Sequence, residues 1–182
     1  MQIRFSDELE KVVEYAREEA MRTGYYAIGT EHLMLGMLRH ERNSACDALS
    51  AEGMDLEQLK IRLDAQILRE ESIPYSEIDD VFLSRDAQNA LSMAIFEASE
   101  TGTEEAGAGE LLLAIARCEE GTCRGLLAAS GIDRARIAAR LGARGFIRQA
   151  GSKPSEADLE NALLFGLDRI SNFIDNDTKT PS

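Results

Sequence analysis

The 182-residue chain holds few side chains equipped for covalent chemistry. Its three cysteines, Cys46, Cys118 and Cys123, form no CxxC pair, and its two histidines are His32 and His40. A cysteine hydrolase needs a thiolate, a histidine and a third group that orients the histidine. No such grouping is legible, so no catalytic residue is expected and the cysteines read as reduced core or near-surface thiols. Zinc-ligand spacing is absent too, and neither a metal nor another cofactor is expected. None of Lys11, Lys60, Lys153 and Lys179 follows a glycine. The GxxxxGK[ST] phosphate loop is therefore missing, and with it ATP hydrolysis by these residues. Two polar groupings remain. In Gly29-Thr30-Glu31-His32, which opens an apolar stretch, Thr30 is placed to cap a helix and Glu31 to complement the dipole of its first turn. His32 reads as a packing or hydrogen-bonding residue at that helix start. Arg136, Arg140, Arg144 and Arg148 recur every four residues, either as a solvated helix face or as a docking stripe for an acidic partner.

The charge balance narrows the partners. With 33 acidic against 20 basic residues the net charge is −13. Nucleic-acid affinity rests on neutralising phosphates with Lys and Arg, so nucleic acid is not an expected partner, and an anionic membrane surface is disfavoured for the same reason. Leu33 to Leu38 and Leu111 to Ala116 are far shorter than the roughly 20 apolar residues that a spanning helix needs. The opening Met1-Gln2-Ile3-Arg4-Phe5-Ser6-Asp7-Glu8 has no apolar signal region, so a cytoplasmic chain is the default expectation. A hydrophobic fraction of 44% is enough for a folded core.

The elements that must position these residues come from a duplication. Sliding the sequence by about 78 positions aligns 5–63 with 83–141 without a gap, with roughly 17 identities over about 59 positions. Ser6 falls on Ser84, Glu19-Ala20 on Glu97-Ala98, Thr23-Gly24 on Thr101-Gly102, Gly29 on Gly107, Arg39 on Arg117, Gly53 on Gly131 and Asp55 on Asp133. Each unit reads as four helices. Ser6 and Ser84 cap the first, Gly24 and Gly102 end it, and an apolar second helix follows Gly29 or Gly107. A third helix stops at Gly53 or Gly131, and Asp55 or Asp133 caps a fourth. No segment alternates with period two for long enough to make a sheet. The expected class is all-α, a duplicated four-helix repeat forming one pseudo-twofold eight-helix domain over 3–144. Its parts are repeat one at 5–63, a linker or packed excursion at 64–82, and repeat two at 83–141. Residues 145–182 read as a loop, an extra C-terminal helix with Leu159, Leu163, Leu167, Ile170 and Ile174 near one face, and a polar tail.

The opening Phe5-Ser6, the Glu18-Glu19-Ala20 and Gly24 that follow, and the stretch Gly29-Thr30-Glu31-His32-Leu33-Met34-Leu35-Gly36-Met37-Leu38 together resemble the double-repeat N-terminal domain of the Clp AAA+ unfoldases, nearest the ClpC type. The resemblance implies a domain that sits ahead of ATPase rings and receives substrates or adaptor proteins, with Clp ATPase or protease subunits as partners. It also implies capture of phosphoarginine-marked proteins by the Thr-Glu of the loops, here Thr30 and Glu31. In repeat two the same positions are Ala108, Gly109 and Glu110, which lack the hydroxyl and the correctly placed carboxylate, so at most one such pocket is expected. The expected function is a non-catalytic protein-binding module of a Clp protease system. The alternatives are an accessory subunit docking through the arginine stripe or last helix, or the N-terminal fragment of a full Clp ATPase. The extra helix and polar tail favour a stand-alone protein over a fragment.

Overall fold

The computed structural model describes residues 3–40 and 42–142. The expected final helix, the loop before it, the polar tail, Arg144 and Arg148 lie outside the described residues. Two sets of four helices follow one another: α1 (Asp7–Thr23), α2 (Thr30–His40), α3 (Ser44–Ala51) and α4 (Leu56–Ile67), then α5 (Arg85–Thr101), α6 (Ala108–Arg117), α7 (Thr122–Ala129) and α8 (Arg134–Gly142). The fold is all-α in class, as the helical periodicity implies.

The matched residues cap matched helices. Ser6 Oγ accepts from the Leu9 N–H and Ser84 Oγ from the Ala87 N–H, both at 3.1 Å. Asp55 and Asp133 do the same for the Gln58 and Arg136 N–H groups, at 3.1 and 2.9 Å. Gly24 and Gly102 end α1 and α5 in the left-handed region, at φ 89° and 71°. A side chain at Gly24 is excluded twice, since a Cβ there would also sit 2.4 Å from the Glu71 carbonyl oxygen.

That Glu71 contact belongs to the stretch between the repeats, which is a packed excursion. The Arg69 N–H donates to the Thr23 carbonyl and the Ile73 N–H to the Met21 carbonyl, at 3.1 and 2.8 Å. Ile73 is buried, and a short 3-10 helix at Tyr75–Asp80 then leads into repeat two.

Helices α2 and α6 are the buried centres of the two repeats: residues 32–38 of one, and 108, 109 and 111–116 of the other, are all buried. Repeat one packs its first two helices at a closer approach. A Cβ at Gly36 would lie 2.4 Å from the Val12 carbonyl oxygen and 3.0 Å from the Ala16 nitrogen, while the matching position of repeat two is Ala114.

The structure adds strands that periodicity could not show. Arg4–Phe5 (β1), Ala27–Ile28 (β2), Phe82–Leu83 (β3) and Glu105–Ala106 (β4) are two residues long each, too short to display an alternation. They pair in parallel across the repeats, Arg4 with Glu105 and Phe5 with Ala106, then Ala27 with Phe82 and Ile28 with Leu83. Each repeat thus lends its leading strand to the loop before the other's buried helix. The pairing is reciprocal, as pseudo-twofold symmetry requires.

Ion pairs reinforce this frame. Glu97, fully buried, receives Arg117 Nε at 2.7 Å and Arg134 Nη2 at 2.5 Å. Burial alone would raise its carboxyl, and the Arg134 and Arg117 hydrogen bonds outweigh that and hold it below the usual range. The matched Glu19 is buried as well, with Arg22 at 2.7 Å and Arg39 at 3.5 Å. On another face Glu52 of repeat one receives Arg136 at 2.7 Å and Arg140 at 2.6 Å, and the Arg140 hydrogen bond leads in lowering its carboxyl. The two described arginines of the stripe therefore brace repeat two against repeat one.

Candidate functional site

Thr30 opens α2, and both Thr30 and Glu31 are half-buried. Thr30 does not cap the helix. The Gly29 carbonyl already accepts from the Leu33 N–H at 3.1 Å, so the cap position falls one residue earlier, on a residue with no side chain. His32 compensates: the Gly29 N–H donates to its Nδ1 at 2.9 Å, the returning half of a capping box. The Thr30 hydroxyl instead donates to Glu31 Oε2 at 3.4 Å. No described group accepts from the backbone N–H of Thr30 or of Glu31.

His32 has a structural role in full. An accepting Nδ1 leaves the proton on Nε2, which stands 3.0 Å from the Thr23 hydroxyl, and that hydroxyl donates to the Glu19 carbonyl at 2.8 Å. Burial, aided by Arg22 and opposed by Glu19, lowers the His32 pKa to about 4. The ring is neutral, and among the described residues it hydrogen-bonds to no thiol. Burial also pushes the Cys118 and Cys123 thiols up, the opposite of what a nucleophile needs. Among the described residues no cluster of three or more His, Cys, Asp or Glu could hold a metal, and no helix is long and apolar enough to cross a membrane.

Thr30 and Glu31 face a cleft of about 570 Å³ that the two repeats build together. Repeat one contributes the first turn of α2. Repeat two contributes Asp86 and Met93 from α5, the end of α6 with Arg117 and Cys118, and Glu120, Cys123 and Arg124 around the start of α7.

The equivalent place in repeat two is closed. Glu110 stands where His32 stands and accepts from the Gly107 N–H at 2.8 Å, and burial raises its carboxyl although that bond pulls the other way. The N–H groups that are free in α2 are occupied in α6. Ala108 donates to Glu8 Oε2 at 3.1 Å and Gly109 to Ser44 Oγ at 3.0 Å, both acceptors coming from repeat one. A Cβ at Gly109 would sit 2.9 Å from both Ser44 Oγ and Leu141 Cδ2. The positions matching Glu8 and Ser44 are Asp86 and Thr122, and neither bonds to α2 among the described residues.

Residues 4–142 match the Clp repeat (R) N-terminal domain. The chain belongs to that family. It is 29% identical over 130 residues to the negative regulator of genetic competence ClpC/MecB of Bacillus subtilis, a match covering 71% of this chain and 16% of that protein. It is 31% identical over 134 residues to the chloroplastic chaperone ClpC2 of rice, covering 74% of this chain and 14% of that protein. The chain thus spans about a sixth of the length of these relatives. Among solved structures the fold is shared with the N-terminal domain of the ClpD chaperone of Arabidopsis thaliana, with TM-score 0.60 and 16% identity over 78% of this chain and 96% of that one. It is shared also with the Hsp104 N-terminal domain of Candida albicans, with TM-score 0.63 and 14% identity over 80% and 94%.

Within this Clp N domain the residues singled out from sequence fall in three places. Thr30 and Glu31 face the open cleft, Ala108, Gly109 and Glu110 lie at its closed counterpart, and Arg136 and Arg140 lie at Glu52, outside the cleft. Sequence reading missed Glu8 and Ser44, which close the second place, and Asp86 and Arg124, which complete the first. The available signal was a mismatch in the repeat register, Glu8 against Asp86 and Cys46 against Arg124.

Proposed function

We propose that this Clp N domain is a non-catalytic protein-binding module of a Clp system, and that its α2 cleft receives a phosphorylated arginine side chain of a substrate or adaptor protein. The chemistry is complementary in two parts. The free N–H groups of Thr30 and Glu31 lie at the positive end of α2 and, with the Thr30 hydroxyl, suit a phosphoryl oxygen. The Glu31 carboxylate suits the guanidinium nitrogens. The observation that carries the reading is the contrast in accessibility: the first turn of α2 opens into a cleft of about 570 Å³, while that of α6 is filled by Glu8 and Ser44. One ligand per chain follows.

Calorimetric titration of the full chain with a phosphoarginine peptide tests this. The expected result is one equivalent bound, with Glu31→Ala and Thr30→Val each weakening it about tenfold or more. A wild-type chain that gives no heat removes the ligand and leaves the fold untouched.

A further inference from the structure

We propose that Arg124, supplied by the second repeat, is the residue that makes the cleft select a phosphorylated arginine over an unmodified one. The inference rests on the phosphoarginine reading and adds to it a specificity determinant on the opposite wall.

The cleft is short of positive charge. Its charged lining comprises the carboxylates Glu31, Asp86 and Glu120 and the cations Arg117 and Arg124. Arg117 is engaged elsewhere, with Nε 2.7 Å from Glu97 Oε1. Arg124 makes no hydrogen bond or ion pair to any described residue. With the carboxylates alone, the cleft would accept a plain guanidinium and repel a phosphoryl group carrying negative charge. A planar guanidinium offering two parallel N–H donors is the side chain that reverses this preference.

Folding does not account for an arginine at this position. Arg124 sits in the first turn of α7, where the helix dipole disfavours a cation, and α7 has no acidic residue in that turn to offset it. The matching residue of repeat one is Cys46, buried against the Met37 carbonyl, so the shared architecture is satisfied by a small thiol. The neighbouring Cys123 is buried in the same cleft and feels the charge of Glu31, which places the start of α7 within electrostatic reach of the α2 first turn.

The test compares two short peptides identical except for phosphorylation of one arginine, titrated into the full 182-residue chain as wild type, Arg124→Gln and Arg124→Lys. Arg124→Gln is expected to weaken the phosphorylated peptide about tenfold or more while leaving the unmodified peptide unchanged or tighter, and Arg124→Lys to recover part of the loss as a point charge. Circular dichroism and thermal melting confirm that the variants fold. If the wild type prefers the phosphorylated peptide and Arg124→Gln keeps that preference, the role of Arg124 is overturned and the phosphoarginine reading stands. If the wild type shows no preference between the peptides, both fall together.

Discussion

The first turns of α2 and α6 occupy matching positions in two copies of one unit, and their N–H groups meet different neighbours. At α2 the donors of Thr30 and Glu31 open toward a cleft, whereas at α6 those of Ala108 and Gly109 are held by Glu8 and Ser44. The backbone is the same in both, with Gly29 and Gly107 at the cap and a side chain three residues on returning to it. What differs is the other repeat's contribution. Glu8 is one methylene longer than its counterpart Asp86, and Gly109 admits Leu141 and Ser44 against the helix where Glu31 would exclude them. A duplicated unit can thus leave one helix N-terminus open and turn the other into an inter-repeat joint.

The largest expected effect concerns packing behind these turns. Gly36→Ala places a methyl 2.4 Å from the Val12 carbonyl oxygen, a backbone atom that cannot swing away, and is expected to destabilise the chain by about 3 kcal/mol. Ala114→Gly, the reverse exchange in repeat two, removes only a methyl and some helix propensity, about 1 kcal/mol. Chemical denaturation of both variants reads the difference. Equal losses would mean that the two repeats pack their central helices alike and that the contrast is confined to the turns.

The two returning side chains titrate in opposite senses. His32 is held at about 4 when folded against about 6.5 when unfolded. Its folded pKa is depressed, so its contribution is fully present above 6.5 and is lost as the pH falls toward 4, on the order of 3 kcal/mol. Glu110 is raised by burial, so acid favours its folded state. Glu97 and Glu52 are lowered, and their losses set in as the pH falls through the ordinary carboxylate range toward their depressed values. Between pH 6.5 and about 5, above the carboxylate range, the fall in stability is therefore assigned to His32. Denaturation midpoints across that window should decline for the wild type and hold level or rise, through Glu110, for His32→Gln, and parallel curves would refute the assignment.

Much of this frame was legible in the sequence, because repeats, caps and glycine stops are local signals that occur twice. Ser6 with Ser84, Gly24 with Gly102 and Asp55 with Asp133 all take the positions that their types imply. Thr30 misled, because its hydroxyl suits a cap while the cap itself is the glycine before it. The two-residue strands carry no period and left no trace. The cleft was legible by halves: Thr30 and Glu31 belong to a contiguous motif, but Asp86 and Arg124 reach it only through the pairing of one repeat with the other. The arginine stripe was visible as a spacing, while its partner Glu52 lies in the other repeat, 88 residues from Arg140.

The smallest effects probe the plug itself. Glu8→Ala removes the acceptor of the Ala108 N–H and is expected to cost about 1 kcal/mol, the usual worth of a helix cap. It is not expected to create a second binding site, because Ala108 is fully buried, Ser44 still holds the Gly109 N–H, and no carboxylate stands where Glu31 stands in repeat one. Titration of Glu8→Ala with the phosphoarginine peptide should keep a stoichiometry of one, and a second equivalent would show that the Glu8 carboxylate alone closes the α6 turn. The mirror experiment is Asp86→Glu, which gives the cleft wall the side chain that fills the other repeat. Lengthening that carboxylate brings it toward the free N–H groups of Thr30 and Glu31 as a competitor for the phosphoryl group, so the peptide should bind a few-fold more weakly with stability unchanged or slightly raised. Unaltered affinity in Asp86→Glu would place the difference between the two turns in Gly109 and Leu141 rather than in the acid.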